Sequence, residues 1–200
     1  GHPYSILAWS AVPGSSWALP LSIERVPSSE TDVQVGVRQV QAFCQQRDAG
    51  LRKTLHMVVA DGKYGNHHFL GALRGQPCGV LVRLRRDRVL YGPPGPYQGR
   101  GRPRVHGKRF AFKEPESWDD PDAEWEGEDD RWGQVRVRRW DHLHARQDAP
   151  TVFSVVLVEV HRERKNPAAP LWLGYLHPET AEHAQPALEG PYFRPIVFRP

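Results

Sequence analysis

The chain has 200 residues, of which 39% are hydrophobic and 25% charged, a composition typical of a soluble globular domain. No apolar run reaches the roughly 18 residues that a membrane-spanning helix needs, and two cysteines are too few for a disulfide framework or a four-cysteine zinc site. The formal net charge is only +4, but 22 of the 27 basic residues are arginine. Arginine suits phosphate recognition, although a GC-rich coding bias would raise the same count.

Two strands and a helix are predicted at the start of the chain. Segments 4–12 and 16–26 carry aromatic and branched residues on either side of a Pro-Gly turn, which is a hairpin pattern. Capping-type residues then precede an apolar period with Gln and Arg on its other face, and this spacing predicts a helix over about 31–47. The apolar period consists of Val33, Val37, Val40 and Cys44.

The next segments complete an α/β pattern. Residues 55–60 (LHMVVA) form a nearly continuous apolar run, which predicts a buried central strand. A short helix is predicted at 67–73 and a strand at 78–84. The order strand, strand, helix, strand, helix, strand indicates an α/β core over residues 1–84.

The character of the sequence changes after this core. Pro and Gly crowd residues 92–107, and no helical period follows. We interpret residues 85–177 as a β-rich insertion and 178–200 as a Pro-rich tail. Strands within the insertion are predicted at 107–113, 132–140, 151–161 and 170–176, the third having the most branched residues.

The charges lie in blocks. Residues 83–113 hold ten basic side chains against Asp87 alone, whereas 114–130 hold ten acidic side chains and no basic one. Basic residues dominate again from 131 to 146. Such blocks are usually solvated loops, but a basic block is also the electrostatic footprint of nucleic-acid binding. The adjacent acidic block raises the hypothesis that it masks the basic one.

Asp61 is the first candidate for chemistry. A carboxylate followed by glycine at the end of a buried strand is a common position for a metal-binding acid in an α/β sheet. Three polar neighbours, Lys63, Tyr64 and Asn66, would then surround it. An Asp-Gly pair is equally typical of a simple turn.

A second candidate is the run Arg100-Gly101-Arg102-Pro103-Arg104. Its core matches the AT-hook, in which an extended Arg-Gly-Arg-Pro segment inserts its arginines into the narrow minor groove of A·T-rich DNA. Lys108 and Arg109 extend the basic run. A disordered basic loop is the alternative interpretation.

Other candidate sites are weaker. The pairs His67-His68 and His142-x-His144 lack partners at the spacing of a zinc site. The four tryptophans at 118, 125, 132 and 140 could stack on bases, but packing within the insertion explains them better. Cys44 and Cys78 fit buried, inert positions. No serine elbow, phosphate-binding loop or dinucleotide fingerprint is present.

Taken together, the motifs resemble bacterial insertion-sequence transposases of the DDE superfamily. The resemblance rests on VVADGKYGN, HHFL, CGVLVRLRRDRVLY and GRGRPRVHGKRF, and extends to the opening GHPYSILAWSAVPGSSWALPL, to ESWDDPDAEWEG and to PLWLGYL. It implies a ribonuclease-H-like fold with a β-rich insertion. It also implies a cytoplasmic, nucleoid-associated bacterial protein that acts as a dimer on transposon ends and target DNA.

The family's chemistry needs three carboxylates that hold two Mg²⁺ ions, which Mn²⁺ can replace, for in-line attack at phosphorus. Asp61 matches the second carboxylate. The first would precede Gly1, and the third should follow Tyr192 and Arg194 in a pattern that lacks its Glu here. We therefore expect a catalytic core that is incomplete at both ends, either a fragment or a degenerate copy, and inactive alone.

If the chain is such a transposase, its basic residues are expected to hold the transposon DNA: Arg83, Arg85, Arg86, Arg100, Arg102, Arg104, Lys108 and Arg109. The alternative function is a nucleic-acid-binding module without catalysis, in which Asp61 is only a turn residue.

Overall fold

The computed structural model describes residues 2–10, 17–46, 55–97, 99, 101–130, 132–161 and 169–178. Their contacts divide the chain into two compact units, one before residue 54 and one over residues 54–178. The tail beyond Pro178 lies outside the described residues. The three-part division expected from the sequence stays a prediction.

The first unit is an antiparallel hairpin and a helix, as predicted. Strands β1 (Tyr4–Trp9) and β2 (Leu19–Arg25) pair with Ile6 opposite Ile23, and helix α1 follows over Asp32–Gln46. The predicted Pro-Gly turn lies outside the described residues. Helix α1 begins with a reciprocal cap, because Thr31 Oγ1 accepts the Gln34 N–H at 3.2 Å and Gln34 Oε1 accepts the Thr31 N–H at 2.7 Å.

The predicted apolar face of α1 is partly wrong. The buried residues are Val35, Gly36, Gln39, Val40 and Cys44, whereas Val33 and Val37 are only half-buried. The physical reason is Gln39, whose amide accepts the Ser5 hydroxyl proton at 2.6 Å and donates to the Ser5 carbonyl at 3.2 Å. A buried amide is tolerated when it is hydrogen-bonded, and hydrophobic periodicity does not register it.

The second unit contains one mixed sheet flanked by helix α2 (His67–Leu73). Within the described residues, eight strands contribute to it: β3 (Met57–Ala60), β4 (Gly79–Leu84), β5 (Val89–Tyr91), β6 (Arg109–Ala111), β7 (Ala123–Asp129), β8 (Gly133–Ala145), β9 (Asp148–His161) and β10 (Leu171–Leu176). Their order is β3-β4-β10-β9-β8-β5-β6, and β7 pairs with β8. The expected α/β class is confirmed, with strands predominating.

The order of the strands determines which parts of the chain lie near the end of β3. Strand β3 runs parallel to β4 with α2 as the crossover, and the remaining pairs are antiparallel. Strand β10 pairs with both β4 and β9, so the strands predicted as an insertion continue the sheet of β3 and β4. Side chains from beyond residue 84 can therefore line a site at the end of β3.

Two strand predictions need correction. The run at 55–60 was expected to be a buried central strand, but β3 has a neighbour on one side only among the described residues. Met57 and Val59 are 40% and 38% exposed, and β4 is the buried strand of the pair. A short apolar run does not reveal how many of its faces are covered.

The acidic block also differs from expectation, since seven of its seventeen residues form strand β7. Alternating Glu residues disfavour a strand by propensity. In β7 they face arginines across the ladder, with Glu126 opposite Arg136 and Glu124 opposite Arg138. Opposite charges paired across strands stabilise the ladder. Strand β5 was likewise not predicted.

Among the described residues, no helix is long and apolar enough to cross a membrane.

Candidate active site and nucleic-acid interface

Asp61 directly follows β3 and is exposed. Its Oδ1 accepts the Lys63 N–H at 2.9 Å, and its carbonyl accepts the Tyr64 N–H at 3.2 Å. The carboxylate therefore closes a turn, while no hydrogen bond to its second oxygen occurs among the described residues. Asp61 can thus act as a turn residue and still present Oδ2 to a ligand.

The neighbours of Asp61 build this turn. Asn66 Oδ1 accepts the Phe69 N–H at 3.1 Å, which caps α2, and its Nδ2 donates to the Lys63 carbonyl at 2.9 Å. Tyr64 packs on Phe69 with ring centroids 5.0 Å apart. The structure places these residues in the scaffold of the turn. Their expected contribution around the carboxylate stays a prediction.

Gly65 lets the turn lie against the end of β4. A Cβ at this position would stand 2.1 Å from the Arg83 carbonyl oxygen, well inside any real contact. Arg88 Nη2 donates to the Gly65 carbonyl at 2.9 Å and holds the turn from the other side. The position of Asp61 relative to β4 is therefore fixed by backbone contact.

Asp61 lines an open cleft of about 840 Å³. Its lining comes from the Asp61 turn, the end of β4 and the turn after it, the end of β6 and the start of β10: Asp61, Gly62, Arg83, Leu84, Arg85, Arg86, Asp87, Phe112, Lys113, Pro170 and Trp172. Because Ala60 pairs with Val82, Asp61 and Arg83 occupy corresponding positions of parallel strands. The structure thus brings Asp61 together with three of the predicted DNA-binding arginines.

The cleft is positively charged. Four basic side chains, Arg83, Arg85, Arg86 and Lys113, share it with two acids, and one of these acids, Asp87, pairs with Arg85 at 3.1 Å. A concave surface with excess positive charge concentrates polyanions. Sequence reasoning did not place Lys113 in the site, although this residue closes the basic block.

Aromatic side chains form the packed floor of the cleft. Phe112 stacks on Trp172 with centroids 4.0 Å apart, and they are only 5% and 2% exposed. Trp140 is similarly buried, as the packing interpretation expected, whereas Trp125 is exposed. The floor therefore supports the cleft and offers no open ring for base stacking.

The candidate AT-hook is bent. Gly101 has φ +74° and its carbonyl accepts the Tyr97 hydroxyl at 2.8 Å, which closes a local turn. This bend differs from the extended form that an AT-hook adopts in the minor groove, so the role of the motif stays a prediction. Arg102 and Arg104 are exposed on this loop, and Arg100 lies outside the described residues.

Lys108 and Arg109 are engaged by the acidic block. Lys108 pairs with Asp119, and Arg109 pairs with Glu114, whose Oε1 accepts from Nη2 at 2.9 Å. The hydrogen bond from Arg109 holds the pKa of Glu114 below its ordinary value. Both pairs are exposed, so each contributes little to stability. They nevertheless neutralise two residues that were expected to contact DNA.

A complete metal centre is not assembled among the described residues, where no group of three or more metal-ligating side chains occurs. His144 instead shares a hydrogen bond with His106 at 3.0 Å, and His67 lies against His68. Asp61 fits a divalent cation as a single oxygen ligand. Mg²⁺ usually requires more than one anionic partner.

The sequence matches a family described as DDE superfamily endonuclease over residues 4–146, more than two thirds of the chain. Among curated proteins, none matches the sequence.

Proposed function

Because the chain belongs to the DDE superfamily of endonucleases, we propose that it is catalytic-domain sequence of an insertion-sequence transposase, an enzyme that cleaves DNA and transfers strands. The observation that carries this proposal is that Asp61 lines a positively charged cleft. The parallel β3-α2-β4 unit supports a ribonuclease-H-like core, since ligands of such units bind at the carboxyl ends of the strands. The strands beyond residue 84 would then be the β-rich insertion.

In this proposal Asp61 holds Mg²⁺, or Mn²⁺ in its place, together with phosphate oxygens of bound DNA. When bound, a divalent ion supplies charge stabilisation at phosphorus and a more acidic water. Arg83, Arg85 and Arg86 hold the DNA backbone beside Asp61, and the exposed Arg102 and Arg104 extend the basic surface. A dimer bound to transposon ends in a bacterial nucleoid would be its working form.

We further propose that the 200-residue chain does not cut DNA by itself. Among the described residues Asp61 stands without the second and third ligands that a stable Mg²⁺ site needs. A supercoiled-plasmid assay with Mg²⁺ should therefore show no nicking. Nicking that Asp61→Ala abolishes would overturn this part of the proposal.

The proposal is tested by linking metal to DNA binding. At constant ionic strength, Mg²⁺ should strengthen binding of a labelled duplex by the chain, and Asp61→Asn should remove that gain. The competing function is a binding module without catalysis. It is favoured by the hydrogen bond from the Lys63 N–H to Asp61 Oδ1, because an aspartate that only closes a turn makes the same bond. Equal binding with Mg²⁺ and with EDTA would support the binding module instead.

A further inference from the structure

We propose that Lys113 is a phosphate-binding residue of the Asp61 cleft and holds the DNA backbone from the segment that follows β6. The inference rests on the proposed function, because it assumes that DNA lies in this cleft. Lys113 follows β6, belongs to the cleft lining and is exposed. It approaches the site from a different part of the sheet than Arg83 and Arg86.

Lys113 is available for an anion, unlike the basic residues just before it. Arg109 pairs with Glu114, and Lys108 pairs with Asp119. Glu114 is the acidic residue closest to Lys113 in sequence, and its carboxylate is directed to Arg109. No ion pair of Lys113 occurs among the described residues, so its ammonium group adds to the positive charge of the cleft.

The backbone that carries Lys113 is firmly held. Ser117 Oγ accepts the Ala111 N–H at 2.8 Å, and the Trp118 indole donates to the Ala111 carbonyl at 2.7 Å. The Glu114 N–H donates to the same carbonyl at 3.0 Å and closes a turn around Lys113. A fixed backbone limits the ordering cost when the long side chain engages a ligand.

Hydrogen bonds also connect the segment of Lys113 to the turn that carries Asp61. The Phe112 N–H donates to the Arg88 carbonyl at 3.1 Å, and Arg88 Nη2 donates to the Gly65 carbonyl at 2.9 Å. The segment that carries Lys113 is thus only two hydrogen bonds away from the turn that carries Asp61. This linkage connects the segment of Lys113 to the turn of the candidate metal ligand.

The chemistry of lysine defines the ligand. An ammonium group is a compact point charge that binds phosphate and lacks the planar fork of arginine. Buried Phe112 offers no ring for a base. We therefore expect Lys113 to contact a backbone phosphate irrespective of base sequence.

The test measures affinity for a fluorescein-labelled duplex of about 30 base pairs by anisotropy across KCl concentrations. Loss of one phosphate contact should lower the slope of log affinity against log salt by about 0.9. We expect Lys113→Gln and Arg86→Gln each to show this loss, and Lys113→Arg to retain the wild-type slope. The matched control is Arg146→Gln, which removes an exposed charge between β8 and β9, outside the cleft lining.

The outcomes separate this inference from the proposed function. A normal slope for Lys113→Gln beside a reduced slope for Arg86→Gln would overturn the role of Lys113 and leave the proposed function standing. Normal slopes for both variants would remove DNA from the cleft and overturn both proposals. An equal reduction for Arg146→Gln would also overturn the inference, because the effect would then reflect total charge. Thermal melting of every variant verifies that the fold is intact.

Discussion

Two groups of basic side chains in the second unit face different surroundings. The cleft group, Arg83, Arg86 and Lys113, lines an open cleft with Asp61, and no acidic partner of its members occurs among the described residues. The clamped group, Lys108, Arg109 and Arg136, pairs with the acidic block. Both groups contribute equally to a residue count, but only the cleft group presents its charge to an incoming polyanion.

This contrast shows that position within the fold decides what a charge does. The exposed ion pairs of the clamped group gain little from each other in water. They still lower the local positive potential, so DNA must compete with Glu114 and Asp119 for those side chains. The cleft group meets no such competition from described residues.

The largest effect should come from Gly65→Ala, which displaces the Asp61 turn from the end of β4 and so changes the shape of the cleft. The new Cβ would overlap the Arg83 carbonyl, and a rigid backbone cannot move aside cheaply. We expect a loss of about 1–3 kcal/mol in the free energy of unfolding, as for other overpacked sites, together with weaker DNA binding. Chemical denaturation gives the stability of the variant.

The matched control for Gly65 is Gly71→Ala. Its Cβ would meet the end of the Asp148 side chain, which can rotate away. The change should cost no more than about 0.5 kcal/mol. Equal losses for the two glycine variants would contradict the account of the turn.

The next effect compares the two basic groups directly. Arg83→Gln with Arg86→Gln should lower the salt slope of DNA affinity by about two, because two phosphate contacts are lost. Lys108→Gln with Arg109→Gln removes the same charge but should lower the salt slope by less than one, because these side chains are paired with acids. If the second double variant loses as much as the first, the ion pairs do not restrain the clamped group.

A smaller effect should follow from releasing the clamped group. Neutralising its partners by Glu114→Gln and Asp119→Asn frees Arg109 and Lys108 for phosphate, so DNA affinity and its salt slope should both rise. Glu128→Gln removes an exposed charge from the same acidic block and serves as the control. A gain that is equal for Glu128→Gln would indicate general repulsion, and no gain at all would refute masking.

The smallest effect concerns the pH dependence of the stability of the folded state. Burial, and then the neighbouring His106, lower the pKa of His144 below its ordinary value, while Asp148 acts against them. The unfolded chain then binds more protons below about pH 6.5, so the folded state loses stability as the pH falls through that value. Burial also lowers the pKa of His67 and of His177, which contribute in the same direction.

We expect the melting temperature of the wild-type chain to fall as the pH is lowered from about 7.5 to about 5.5. The melting temperature of His144→Gln should fall less over the same range. The matched control is His161→Gln, which removes an exposed imidazole from the end of β9. An unchanged pH dependence in His144→Gln would rule out His144 as a source of the acid sensitivity.

Sequence patterns predicted the elements whose signal is local. The hairpin, both helices and strands β4, β9 and β10 depend on periodicity, capping and branched residues, which the sequence contains directly. Burial of Gln39, the strand character of the acidic block and the edge position of β3 depend on partners elsewhere in the chain. Those partners, such as Ser5 for Gln39 and Arg136 for Glu126, cannot be assigned from spacing alone.

The same limit applies to the candidate site. Asp61 and the arginines near β4 were found because they stand together in sequence after predicted strands. Lys113 enters the cleft only because β10 joins β4 to the later strands, a pairing that sequence patterns do not specify. The bend at Gly101 likewise depends on the Tyr97 hydroxyl, and a motif match does not include that contact.

Asp61 is proposed to be a metal ligand in a DNA-binding cleft. This role is tested most directly by titrating Mn²⁺ into the chain with duplex DNA and measuring bound ion by electron paramagnetic resonance. We expect Asp61→Asn to abolish the DNA-dependent binding of Mn²⁺, whereas Asp87→Asn, which removes the other acid of the same cleft, retains it. Equal Mn²⁺ binding by wild type and Asp61→Asn would contradict the claim.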